Sequence, residues 1–265
     1  MTHNVLVSNK RIRRQRILKN FILTLLIVVF VLITFCISPF FIKELKINLV
    51  FVSGAKVLPE HKIESEIKKI MATKIFGVIP QDRIFFLPRE KIISHLFEQF
   101  IRLNNVEIKR EFPSMVWINV EERVPFATLC LPRPQAGGID IKDCFFIDQT
   151  GFVFGSAPIF SSGVYLKFFD KRMTRSGEGE FLLNQETLQG LIDFSEQFDI
   201  TEIYLKEDEI YELYTSEGWY LILSGEDDWD LVYNNFMTFS EEMLKDDVGD
   251  IDLRFNNKIF YKWKE

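Results

Sequence analysis

The first side chains to test for chemistry are the histidines, cysteines, and the serine–lysine and aspartate groups. The 265 residues hold only three histidines, His3, His61 and His95, and three cysteines, Cys36, Cys130 and Cys144. No two of them stand at metal-ligand spacing, and neither C-x-x-C nor H-E-x-x-H occurs. Ser53-Gly54-Ala55-Lys56 and Ser65-Glu66-Ile67-Lys68 match S-x-x-K, the spacing of a serine nucleophile and its base, but the S-D-N and K-T-G partners are missing. Asp227, Asp228 and Asp230 could hold a cation. Carboxylates at the positive end of a helix dipole account for them without any ligand, and that is the expectation. No nucleotide-binding glycine motif or G-x-S-x-G elbow is present. The expectation is a protein with no catalytic residues, no metal ligands and no cofactor, which acts by binding.

What must be positioned is set by one apolar run. Phe21–Ile42 carries no charged side chain, and as a helix it would extend about 33 Å, enough for a hydrocarbon core of about 30 Å. Lys10, Arg11, Arg13, Arg14, Arg16 and Lys19 precede it, and only Lys43 and Lys46 follow closely. That bias predicts a cytoplasmic tail (1–20), a transmembrane helix (21–42) and an extracytoplasmic remainder. The exit lacks a small-residue cleavage pattern, and Phe35 is too bulky for lipoprotein processing at Cys36. Of the net charge of −6, residues 1–20 contribute six positive charges, which leaves −12 beyond them. An acidic exterior argues against nucleic acid as a partner.

Outside the span, patterning predicts two domains, 45–123 and 124–265, in an α+β fold. The first reads strand, helix, helix, strand, strand. Its strand is Lys46–Val52, and Ile63, Ile67 and Ile70 mark the apolar face of a helix Glu60–Met71. After a connector with Gly77 and Pro80 comes a helix from Arg89 with a stripe of Ile92, Ile93, Leu96, Phe97 and Phe100. Two alternating strands around Val106–Ile108 and Val116–Val120 follow, separated by Phe112-Pro113-Ser114. The second domain reads as a mainly antiparallel β domain with flanking helices. Cys130 and Cys144 bracket a proline- and glycine-rich loop, 131–143. They form either a disulfide, if that loop joins neighbouring antiparallel strands, or two buried thiols.

Val106-Glu107-Ile108-Lys109-Arg110-Glu111-Phe112-Pro113 and Trp117-Ile118-Asn119-Val120-Glu121-Glu122-Arg123-Val124-Pro125-Phe126-Ala127 resemble the V-x-x-x-R-x-F-P … I-x-V-x-E-R-x-P-x-A signature of the FtsQ/DivIB family of bacterial cell-division proteins. Phe146–Phe154 is similar to that family's D-x-x-G-x-V-F turn, and Asp252-Leu253-Arg254-Phe255 to its D-L-R-Y/F motif. The resemblance covers nearly the whole chain. Asn104-Asn105 stands where a proline is usual, and the connector 74–86 is longer than expected.

The resemblance implies a single N-terminal membrane span, a POTRA-like βααββ domain and a C-terminal β domain. It implies a non-enzymatic scaffold of the divisome in the bacterial inner membrane at the septum. Its partners would be FtsB/DivIC-like and FtsL-like membrane proteins and other divisome proteins. The implied partner-binding residues are Arg254, Phe255, Asn257, Lys258, Phe260, Tyr261 and Trp263, where an exposed edge accepts a partner strand. Phe255 also shares parity with Ile251 and Leu253, which would place it in the core. The competing functions are a membrane-tethered envelope hydrolase, which needs a nucleophile–base pair, and a POTRA-bearing transport or secretion component, which favours repeated units or a membrane barrel.

Overall fold

A computed structural model describes residues 3–41, 43–75, 77, 79–135, 138–161, 163–172, 177–225, 228–243, 248–255 and 258–264. The first helix, α1 (His3–Phe41), contains a stretch, Arg16–Phe35, that is long and apolar enough to cross a membrane and has none of its side chains buried. A signal sequence passes the same test. The chain divides into two compact units, Met1–Gln99 with Asn105–Glu121, and Phe100–Asn104 with Glu122–Glu265.

The first unit holds β1 (Leu49–Ser53), α2 (Glu60–Met71), β2 (Lys74–Ile75), β3 (Ile79–Pro80), α3 (Arg89–Gln99), β4 (Leu103–Glu111) and β5 (Met115–Glu122). β1, β5 and β4 form one sheet in that order, with β1 parallel to β5. Ile63, Ile67, Ile70 and Met71 of α2 are buried, as the i, i+4, i+7 spacing requires, together with Val106, Ile108, Val116, Ile118 and Val120 of the sheet. Gly54 ends β1 with φ +89°, and a Cβ there would sit 2.1 Å from the carbonyl oxygen of Val120, so only glycine fits. Two expectations change. In α3 only Ile92 and Leu96 are buried; Phe97 is exposed and Phe100 lies beyond the helix, because a three-turn helix turns just one narrow i, i+4 stripe inward. The connector contains a short hairpin, β2 paired with β3, with Gly77 at positive φ between its strands.

The second unit holds β6 (Ala127–Gln135), β7 (Gly138–Ile147), β8 (Val153–Ala157), β9 (Leu166–Asp170), α4 (Gln185–Gln197), β10 (Ile200–Leu205), β11 (Ile210–Thr215), β12 (Tyr220–Ser224), α5 (Trp229–Met243), β13 (Val248–Phe255) and β14 (Lys258–Trp263). Its nine strands run β14-β13-β12-β11-β10-β9-β6-β7-β8. Among the described residues five of the sheet's eight pairings are antiparallel, as expected, but the sheet is mixed: β6/β9, β9/β10 and β12/β13 are parallel. Parallel neighbours need a crossover, and α4 and α5 supply two of the three, between β9 and β10 and between β12 and β13. Both helices contribute to the main core with one sheet face, through Leu191, Phe194, Val232 and Phe236 beside Leu129, Ile203, Leu213, Leu221 and Ile251. Asn184 caps α4 by accepting a hydrogen bond from the Thr187 N–H.

The expected loop 131–143 is mostly strand. β6 and β7 continue as a hairpin to the pair Gln135↔Gly138. Pro132 and Pro134 read as loop residues, yet β9 pairs with β6 only up to Cys130. Beyond that point, among the described residues, β6 has an open edge, where missing N–H groups cost no ladder bonds.

Candidate partner-binding edge

β14 is the last strand of the nine-stranded sheet, so among the described residues one side of its backbone has no strand beside it. The strand at the opposite end, β8, is one residue shorter and mostly buried. β14 is exposed at five of its six positions, and only Ile259 is intermediate. Its antiparallel register with β13 pairs Val248 with Trp263, Ile251 with Tyr261 and Asp252 with Phe260. Alternation therefore puts Tyr261 and Trp263 on the helix-covered face and Phe260 on the other. Tyr261 meets Phe239 of α5 at 5.9 Å and Trp263 edge-on at 5.2 Å.

Phe255 closes β13 rather than lying on the last strand. It keeps the parity of the buried Ile251 and Leu253 but is 51% exposed. The ladder shifts register between Asp252 and Phe255, and the Phe255 ring meets Phe260 edge-on at 5.1 Å. A bulge of this kind breaks the two-residue alternation on which the core assignment of Phe255 rested. Lys258 pairs with Phe255 across the hairpin and is exposed. Asn257 lies outside the described residues.

The charges beside the edge are partnered. Arg254 forks onto Asp252, with Nε to Oδ1 at 2.9 Å and Nη2 to Oδ2 at 2.6 Å. That hydrogen bonding raises the Arg254 pKa. Burial alone would raise the Asp252 pKa, but the bonds from Arg254 outweigh it and hold the carboxyl below its usual value. Lys262 Nζ meets Asp250 Oδ2 at 3.2 Å, and Lys264 donates to the Glu217 carbonyl. The D-L-R segment thus clamps β13 locally, and aromatic residues stand exposed around it together with Lys258 and Lys262.

The other singled-out residues have structural roles. Cys130 and Cys144 face each other across β6 and β7 and are joined in a disulfide. Asp148 organises its turn: Oδ1 accepts from the Thr150 N–H and hydroxyl and from the Phe152 N–H, while Oδ2 takes Arg123 Nη1 at 2.5 Å. The Arg123 guanidinium also covers the Phe152 ring at 3.9 Å. Desolvation pushes the Asp148 pKa up, but the bonds from Thr150, Arg123 and the two backbone N–H groups prevail and depress it. Of the S-x-x-K pairs, Ser65 donates to the Lys62 carbonyl while Lys68 pairs with Glu64, and the Ser53 hydroxyl bonds to Asn119. His95 meets Glu66 at 3.1 Å, linking α3 to α2. Asp228 accepts from the Leu231 N–H at the start of α5, and Asp227 lies outside the described residues.

Sequence reasoning missed the aromatic ladder on the sheet face away from the helices. Phe169, Tyr204, Tyr214 and Tyr220 form successive ring contacts at 4.7, 5.1 and 4.8 Å across β9 to β12. Burial and neighbouring Glu212 push the Tyr214 hydroxyl up to about 12. Its signal lay in the alternation of tyrosine with leucine and isoleucine along β10, β11 and β12. Compared with protein-family models and with curated proteins, the chain matches none.

Proposed function

We propose that this protein is a single-span membrane scaffold of the bacterial cell-division complex, similar to FtsQ/DivIB, and that the edge of β14 captures FtsB/DivIC-like and FtsL-like partners. One observation carries this reading. Among the described residues, the strand at the end of the large sheet has an open backbone edge, and four aromatic side chains, Phe255, Phe260, Tyr261 and Trp263, are exposed beside it. Two of them, Phe255 and Trp263, are the positions that the motif resemblance matches from the sequence alone.

A partner strand added to β14 would satisfy its free N–H and C=O groups, which supplies affinity along the backbone. The aromatic side chains would set register and bury most of the apolar area, the usual role of large rings in interfaces. An exposed aromatic edge is otherwise an aggregation hazard, which Lys258, Lys262 and Lys264 lessen by charge. The helix α1 would hold this surface in the envelope, with the basic residues before Phe21 in the cytoplasm. The protein would work by recruitment, without catalysis, a cofactor or nucleic acid.

The test is capture of tagged FtsB/DivIC-like and FtsL-like proteins by the full chain and by Phe255→Lys and Trp263→Lys, with circular dichroism as the control for folding. Folded variants that lose capture support the edge. Undiminished capture by both variants means the partner docks elsewhere.

A further inference from the structure

We propose that the end of the first unit nearest α1 carries an aromatic collar that dips into the lipid headgroup layer. This rests on the reading of α1 as a membrane span.

The collar is assembled by the segment that directly follows the helix. The chain pairs 45–47 with 82–84: Ile84 N–H donates to the Leu45 carbonyl, Ile47 N–H donates to the Asp82 carbonyl, and Lys46 bridges to Arg83. The β4–β5 turn joins the same end, since Asn48 and Leu49 N–H both donate to the Ser114 carbonyl. Phe85 and Phe112 therefore come together at 5.3 Å beside the first residues of β1, and Phe112 is 56% exposed. Leu49 is exposed at this end as well. Two residues farther along, Phe51 stacks on Trp117 at 4.6 Å on the outer face of the sheet, and both rings are exposed. The Trp117 indole N–H donates to Glu111, so the ring is held with a polar tip and an apolar face. Trp is the residue type enriched where hydrocarbon meets water, and the phenylalanines and Leu49 add the apolar surface that such an interfacial face buries.

The tether favours lipid over a protein occupant. Leu45 follows the end of the apolar run at Ile42 by three residues, at most about 10 Å of chain, against a headgroup layer roughly 5–8 Å thick. A collar joined so closely to the span meets lipid at an effective concentration no diffusing partner matches. Charge allows it too. Residues 44–121 hold twelve basic and ten acidic side chains, whereas 122–265 hold thirteen basic and twenty-eight acidic, so the acidic excess lies outside the collar's unit.

The test places photoreactive benzoyl-phenylalanine, one site at a time, at Phe112, Phe85, Phe30 and Phe181 of the full chain. The protein is reconstituted in vesicles of phosphatidylethanolamine and phosphatidylglycerol, irradiated, and its peptides weighed for attached lipid. The proposal expects lipid adducts at Phe112 and Phe85, several-fold above Phe181 in the second unit, with Phe30 in α1 as the reference for the span. Lipid at Phe30 but none above the Phe181 level at Phe112 and Phe85, or only protein adducts there, overturns the collar and leaves the span standing. No lipid at Phe30 either removes the span, and the collar with it.

Discussion

Asp148 and Trp263 represent the two kinds of residue in this chain. Asp148 is buried and bonded on both oxygens, so Asp148→Asn should lower stability by about 1–3 kcal/mol by removing the charged acceptor of Arg123. Because its folded pKa is depressed, the stabilisation is full above the ordinary carboxylate value of about 4 and is lost as pH falls through the lower folded value. Urea titrations of the two proteins should therefore differ at pH 7 and converge as the pH falls below the ordinary carboxylate range; a gap that stays constant as the pH falls would mean the charge is not what Asp148 contributes. Trp263 is the opposite case. It supports no core, so Trp263→Ala should leave stability within about 0.5 kcal/mol and weaken partner binding by about 2 kcal/mol, near thirtyfold. Isothermal calorimetry against the partner's extracytoplasmic segment reads that change directly.

Among the elements, the α4–α5 pair and the β6–β7 hairpin make separate predictions. A Cβ on Gly190 of α4 would lie 2.3 Å from the Trp229 ring of α5, so Gly190→Ala must push the two helices apart. The cost should be about 1–3 kcal/mol, visible as a lowered urea midpoint and a changed near-ultraviolet signal from the tryptophan. For the hairpin, alkylation without reductant should modify one thiol, Cys36, and with reductant all three; three modified before reduction would remove the Cys130–Cys144 bond. Much of this level was legible in advance. The i, i+4, i+7 isoleucines located α2, and strict alternation located β4 and β5, because a single buried face imposes a period. The parallel pairings were not legible, since a strand's own pattern does not say which neighbour a crossover helix will bring beside it. Nor was the length of the hairpin, where Pro132 and Pro134 suggested a loop to rules that ignore open edges. At the candidate edge, residue types were readable from Phe255 to Trp263. The exposure of Phe255 was not, because it depends on a register shift that breaks the alternation and that sequence parity does not reveal.

Across the whole molecule, composition is divided along the chain. The basic tail, the apolar helix and a nearly neutral stretch, 44–121, come first, and the acidic second unit carries a strand edge that is open among the described residues. On the proposed reading, this division would separate anchoring from capture. The most direct test is mass spectrometry of what co-purifies with the full chain from gently solubilised native membranes, beside the Trp263→Lys variant. The account predicts small single-span coiled-coil proteins of the FtsB/DivIC and FtsL type with the unaltered chain, and their loss from the folded variant. Recovery of the chain without such partners, or equal recovery with both proteins, would contradict it.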